Sequence, residues 1–199
     1  MIDLYTWQTP NGFKVSILLE ELGWDYQVHE INIGQDEQFD PAFLKLCPNN
    51  KIPAITDSDG PDGAPISLFE SGAILIYLAN KAGQFISADP RRHMEEIQWV
   101  MFQMANVGPM FGQTHHFRTK LEPEIAYARN RYLRETHRLY GVMNSRLEAS
   151  EYLAGPDYGV ADIATWPWVS RFEWHEIEWA NYPHLRRWFD NIWARPAVK

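Results

Sequence analysis

Cys47 is the chain's only cysteine, so no intrachain disulfide can form, and neither a CxxC redox pair nor a cysteine-rich zinc site is available. Any redox chemistry must borrow a thiol. Long apolar runs are also missing. Stretches such as Ala73 to Leu78 fall far short of the roughly 20 residues that cross a bilayer, and no basic-then-apolar leader opens the sequence. A soluble, cytoplasmic protein with no membrane partner is expected. Clustered positive charge is the third lack. The formal net charge is -8 and the densest basic pair is Arg186-Arg187, which excludes a stripe able to neutralise a phosphate backbone. Nucleic acid is not an expected partner.

Aromatics, by contrast, are plentiful. With 9 Trp, 9 Tyr and 10 Phe in a composition that is 45% hydrophobic, the chain can bury a sizeable core. Its 199 residues allow one or two domains.

Ile2 to Tyr5 has the pattern of a short strand. Gly12 to Leu22 follows with Val15, Leu18, Leu19 and Leu22 on one helical face and Gly23 as its stop. Tyr26 to Ile31 alternates as a second strand, and Pro41 to Leu46 makes a short helix. Two apolar runs, Ile52 to Thr56 and Ile66 to Phe69, flank a Gly/Asp/Pro-rich turn and predict a hairpin. Glu70-Ser71-Gly72 then opens the apolar helix Ala73 to Leu78. The order βαβαββα predicts an α/β, thioredoxin-like domain over residues 1–82. A polar linker, 83–91, carries Asp89-Pro90. Beyond it strand signals stop, and Met94, Ile97, Met101 and Met104, then Leu133, Leu139, Tyr140, Met143 and Leu147, recur at helical spacing on either side of Pro123. An all-α domain over 92–199 is expected.

Chemistry concentrates at three turns, and each admits two readings. Thr9-Pro10-Asn11-Gly12 joins the first strand to the first helix, where unpaired N–H groups and the helix dipole favour an anion. Thr9 and Asn11 add donors there, yet both residue types are also ordinary helix caps. Ile52-Pro53 stands at a strand start. A cis bond would expose the Ile52 backbone to an extended peptide ligand, and a trans bond would make it a plain strand edge. Glu70-Ser71 suits the ammonium and the carboxylate of an amino-acid head group, or is simply a helix start. Three other features point to packing instead of chemistry. His115-His116 has no acidic or His partner three or four residues on, so no metal is expected. Trp166-Pro167-Trp168 and Cys47 read as core residues.

Taken in order, TPNG, PNNKIPAI and LFESGAI resemble the N-terminal domain of a glutathione transferase. GPMFGQTHHF (Gly108 to Phe117), the helix Tyr127 to Leu147 and ADIATWPWV (Ala161 to Val169) are similar to the bacterial Nu-class subgroup, known for glutathione-dependent disulfide reduction. The resemblance spans essentially the whole chain. It implies glutathione, as GSH or GSSG, for a co-substrate, with its sulfur met by Thr9 and Asn11 as catalytic residues. It further implies Gln38, the Ile52 backbone, Pro53 as a cis-proline, Glu70, Ser71 and Arg131 as glutathione contacts, and a homodimer. The expected activity is reduction of small disulfides. Conjugation or peroxidase chemistry on hydrophobic substrates is the alternative, as is a binding module that kept the fold and lost the chemistry. Two departures stand out. Gly159 occupies the cap of the ADIA helix where the family has Ser or Thr, and the sequence stops at Lys199, which implies a more open site if a longer tail closes it in relatives.

Overall fold

A computed structural model describes residues 1–118 and 123–199, which divide into two compact units, Met1–Gln84 and Phe85–Lys199. Within the described residues no helix is long and apolar enough to cross a membrane.

The first unit runs β1 (Ile2–Thr6), α1 (Pro10–Leu22), β2 (Tyr26–Glu30), α2 (Pro41–Leu46), β3 (Ala54–Asp57), β4 (Ile66–Phe69) and α3 (Ser71–Ala82), the thioredoxin-like order that the sequence pattern predicts. Its four-stranded sheet has the order β2-β1-β3-β4. β2 lies parallel to β1, whereas β3 pairs antiparallel with both β1 and β4. Alternation along the strands sorts the core into two layers. Leu4 and Ile55 face α1 and α3, and Asp57, in phase with Ile55, accepts from Tyr77 and Lys81 of α3. Tyr5 and Ala54 point the other way, into a cluster with Phe43 and Cys47 beside α2. Cys47 is buried there and its Sγ donates to Lys51 O at 3.2 Å, in keeping with a packed thiol. α1 and α3 both stop at glycines in the left-handed region, Gly23 and Gly83, with φ of 63° and 64°.

The second unit is helical: α4 (Pro90–Phe102), α5 (Gly108–Arg118), α6 (Pro123–Glu148), α7 (Val160–Val169) and α8 (Pro183–Trp193). α4 begins inside the polar stretch 83–91, because Asp89 Oδ1 accepts from the N–H groups of Arg91 and Arg92 and Pro90 suits the first helical position. A π-helical turn, Gln103–Val107, joins α4 to α5. Pro109 follows it; a proline lacks the N–H for the bond four residues back and its ring crowds that carbonyl, which favours a wider turn just before it. The apolar spacing that predicts a helix here does not mark its buried face: Met94 and Met101 are exposed, and Glu96, Val100, Gln103 and Val107 are buried. Glu96 is drawn inward by the Ser87 N–H, which it accepts at 2.7 Å.

All ten residues of α7 are buried, which makes it the central helix of this unit. Asp162 is its one charge. Gly159 explains itself here: Val160 N donates to Phe85 O at 2.9 Å, and a Cβ on Gly159 would lie 2.9 Å from that same oxygen. A Ser or Thr cap at this position would collide with the backbone, so the missing capping oxygen goes with a close approach. Asp162 supplies the return bond, accepting from Gly159 N at 3.1 Å.

His115 and His175 meet behind α7's aromatic residues, with Nε2 atoms 2.8 Å apart and His175 Nδ1 2.9 Å from Tyr140 OH. Burial holds both imidazoles neutral, His115 at about 4 and His175 lower still. Two neutral rings satisfy each other as donor and acceptor. His116 is exposed.

Candidate functional site

Pairing register brings the three turns to one end of the sheet. Tyr5 of β1, Ala54 of β3 and Phe69 of β4 stand in one row across the ladder. Beyond that row β1 leads into the Thr9 turn, β3 is entered from Ile52-Pro53, and β4 leads into Glu70-Ser71. β2, parallel to β1, also ends here, with Thr6 opposite Glu30. Gln38 follows in a 3-10 turn, Glu37–Phe39, outside the sheet.

Thr9 caps α1: its Oγ1 accepts from Gly12 N at 3.2 Å. Capping and ligand binding are not exclusive, because a hydroxyl that accepts one bond keeps its own proton to donate. Asn11 follows, half-buried, at the second position of the helix. Gly12 is required by space. A Cβ there would lie 2.3 Å from Trp7 O and 2.4 Å from Thr6 Oγ1, so the turn doubles back onto the strand end in a way no larger residue permits. Gly12→Ala is therefore expected to destabilise the fold by about 2 kcal/mol, the usual scale for forced overpacking, measured by urea unfolding.

The Ile52-Pro53 bond is cis. Ile52 stands before the first ladder pair, Ala54 with Phe69, so its backbone N–H and C=O lie beyond the sheet's own hydrogen bonds. Glu70 takes φ 70° and ψ 108°, a left-handed conformation rare outside glycine and costing on the order of 1–3 kcal/mol. That conformation turns the chain from β4 into α3. It leaves the Glu70 side chain exposed, with Asn49 Nδ2 donating to its Oε1 at 3.5 Å. Ser71 opens α3 and is buried.

Under Ser71 lies a residue that the motifs did not single out. Lys14, 1% exposed, donates from Nζ to Ser71 Oγ at 3.2 Å. Burial pulls its ammonium down to about 7, and the charge of Glu70 opposes that shift. One signal was legible: Lys14 sits four residues before Leu18, on the apolar stripe of α1 and not on its polar face.

Gln38 Nε2 donates to Asp36 Oδ1 at 3.3 Å, while its Oε1 is buried with no protein partner among the described residues. Arg131 belongs to the second unit. It is exposed on α6, where with Met110, Tyr132, Arg134, Glu135 and Arg138 it lines a cavity of about 600 Å³.

Two family models match the sequence: Glutathione S-transferase, N-terminal domain, over residues 1–80, and Glutathione S-transferase, C-terminal domain, over residues 102–196. The chain is 49% identical over 199 residues to the disulfide-bond oxidoreductase YfcG of Escherichia coli (strain K12), covering 100% of this chain and 93% of that relative. A glutathione transferase from Burkholderia graminis, solved with two glutathione molecules per subunit, superposes with TM-score 0.94 at 48% identity, covering 99% of this chain and 85% of that one. One from Pseudomonas putida, solved with one glutathione disulfide per subunit, gives TM-score 0.93 at 43% identity, covering 99% and 88% of the two chains.

Proposed function

The chain belongs to the glutathione S-transferase family, and we propose that it reduces small disulfides with glutathione bound at the sheet end around Thr9, Asn11, Ile52-Pro53 and Glu70-Ser71. The carrying observation is that these turns converge where a thioredoxin-like protein would keep a cysteine pair, while the one cysteine is buried on the α2 side of the sheet. The thiol must then come from the ligand.

In this reading the Ile52 backbone pairs with the extended peptide, Ser71 and the first amides of α3 take its α-carboxylate, and Glu70 takes its ammonium. Thr9 and Asn11 donate to the sulfur at the N-terminus of α1. Gln38 and Arg131 enter on resemblance alone. The bound thiolate attacks one sulfur of a disulfide RS–SR, forming GS–SR and expelling RS⁻, which takes up a proton. A second glutathione thiolate then attacks the glutathione sulfur of GS–SR, releasing the other RS⁻ and leaving GSSG. Two electrons pass from two glutathiones to the disulfide, and no protein side chain is modified. The names and bound ligands of the similar proteins support this, being disulfide-bond oxidoreductases or transferases holding two glutathiones or their disulfide. Assignment to the Nu class, a homodimer and a cytoplasmic location complete the proposal.

Turnover of a small disulfide and of a chlorinated aromatic, each with glutathione, tests it. The disulfide is expected to react at least about tenfold faster, the size of one 1.4 kcal/mol barrier difference. Faster conjugation would favour a conjugating transferase. Retention on immobilised glutathione with neither reaction would leave only a binding module.

A further inference from the structure

Lys14 is a buried titratable group that the disulfide chemistry does not use. We propose that Lys14 is a positioning residue of the head-group subsite: through Ser71 it orients the hydroxyl that meets the ligand carboxylate, and it takes up a proton when that carboxylate binds. The inference rests on the glutathione reading of the site.

Ser71 Oγ accepts from Lys14 Nζ, and a hydroxyl that accepts in this way keeps its own proton to donate. Ser71 is the first residue of α3, where backbone N–H groups are unpaired within the helix, so hydroxyl and amides together suit a carboxylate. A neutral side chain would orient Ser71 equally well without burying a charge. The ammonium adds a positive charge one hydrogen bond behind the ligand's negative one.

The charges around Lys14 make this linkage sensitive to pH near neutrality. Glu70, at the turn from β4 into α3, is the charge that acts on it. On its own helix Glu20 and Glu21 stand six and seven residues further on, roughly 9 to 10 Å along the axis, and Glu20 is bonded to Tyr26. Asp57 of β3 lies on the same sheet face but is held by Lys81 and Tyr77 towards the far end of α3. Asp3 of β1 points to the opposite face, where it meets His29. With burial holding Lys14 at about 7, a large share of the free protein carries it neutral at pH 7.5. A carboxylate on Ser71 raises that value and draws in a proton. The sign follows: affinity is fully present below about pH 7 and falls as pH rises.

S-methylglutathione is the probe, since it has no thiol to titrate. In the wild-type chain its Kd is expected to rise about fivefold between pH 6.5 and 8, and calorimetry in phosphate and Tris at pH 7.5 is expected to read uptake of about half a proton or more. Lys14→Met, which nearly conserves volume, is expected to bind about tenfold more weakly at pH 6.5, with a gap that narrows by pH 8. Its KM for glutathione should rise with kcat changed less than about twofold. Thermal melting checks that the variant folds, and the proton count on the wild type stands even if it does not. A purely structural lysine would leave a gap independent of pH and no proton uptake, and either result overturns the inference. Wild-type protein that fails to bind S-methylglutathione would overturn the glutathione reading and this inference together.

Discussion

Replacing Thr9 and Asn11 together by alanine is expected to cut kcat/KM for a small disulfide by about a hundredfold at pH 7, with the pH–rate profile still climbing at about pH 8.5. A free thiol titrates near about 8.5, and two hydrogen bonds to a thiolate, each contributing about 1.5 kcal/mol, bring it to about 6.5. Losing both lowers the thiolate fraction at pH 7 about 25-fold. The more basic thiolate is a better nucleophile, and a Brønsted slope near about 0.45 returns roughly eightfold of that loss. Ionisation alone therefore accounts for only about a threefold change. The larger share comes from orientation, because a sulfur free to swing by about an ångström forfeits a further tens-fold. The shifted profile identifies ionisation, and the residual deficit at high pH identifies positioning. Loss of the Thr9 cap costs about 1 kcal/mol, or roughly 2 to 4 °C in Tm, too little to unfold the protein. Stopped-flow rates across pH 6 to 9.5 make the measurement, and a double variant with wild-type rates would remove Thr9 and Asn11 from the mechanism.

Asp162→Ala is expected to cost about 4 kcal/mol of stability and lower Tm by roughly 10 °C. Asp162 is fully buried in α7 and accepts from Leu153 N at 2.9 Å, from Trp188 Nε1 at 2.7 Å and from Gly159 N at 3.1 Å. Removing the carboxylate leaves three buried donors without an acceptor, each worth about 1 to 3 kcal/mol. The pH dependence has a definite sign. Burial pushes the Asp162 carboxyl up to about 6 despite the three donors. Because this lies above the unfolded value of about 3.9, the folded state holds the extra proton between the two. The group's contribution to stability is therefore fully present below about pH 4 and lost as pH rises through about 6, by up to about 3 kcal/mol. Asp162→Asn, which cannot titrate, lacks that slope. Urea unfolding of both proteins at pH 4.5 and 7.5 should show the wild type losing ground to the variant as pH rises, and parallel curves would contradict it.

Several features were legible in the sequence because they are written in neighbouring residues. The βαβαββα order follows from hydrophobic period and turn residues alone, as do α1's cap at Thr9 and its stop at Gly23. Ordered motifs also pointed to the three turns. Their convergence follows from strand order and register, which align Tyr5, Ala54 and Phe69 only once the sheet has formed.

Tertiary structure alone decided the rest, and in each case the cause is distance along the chain. Lys14 and Ser71 are 57 residues apart, and His115 and His175 are 60 apart, so no local window contains either pair. Spacing set Met94 and Met101 among the apolar positions of α4, yet a helix's buried face is chosen by its neighbours: α4 packs on α7 and buries Glu96 and Val100, while both methionines stay in solvent. Protonation follows the same rule. The sequence by itself determined that the only cysteine is Cys47 and that no second exists to pair with it. That Cys47 is buried beside α2, and that Lys14 is held near neutrality under Ser71, depends on desolvation, which arises only when residues distant in the chain pack together.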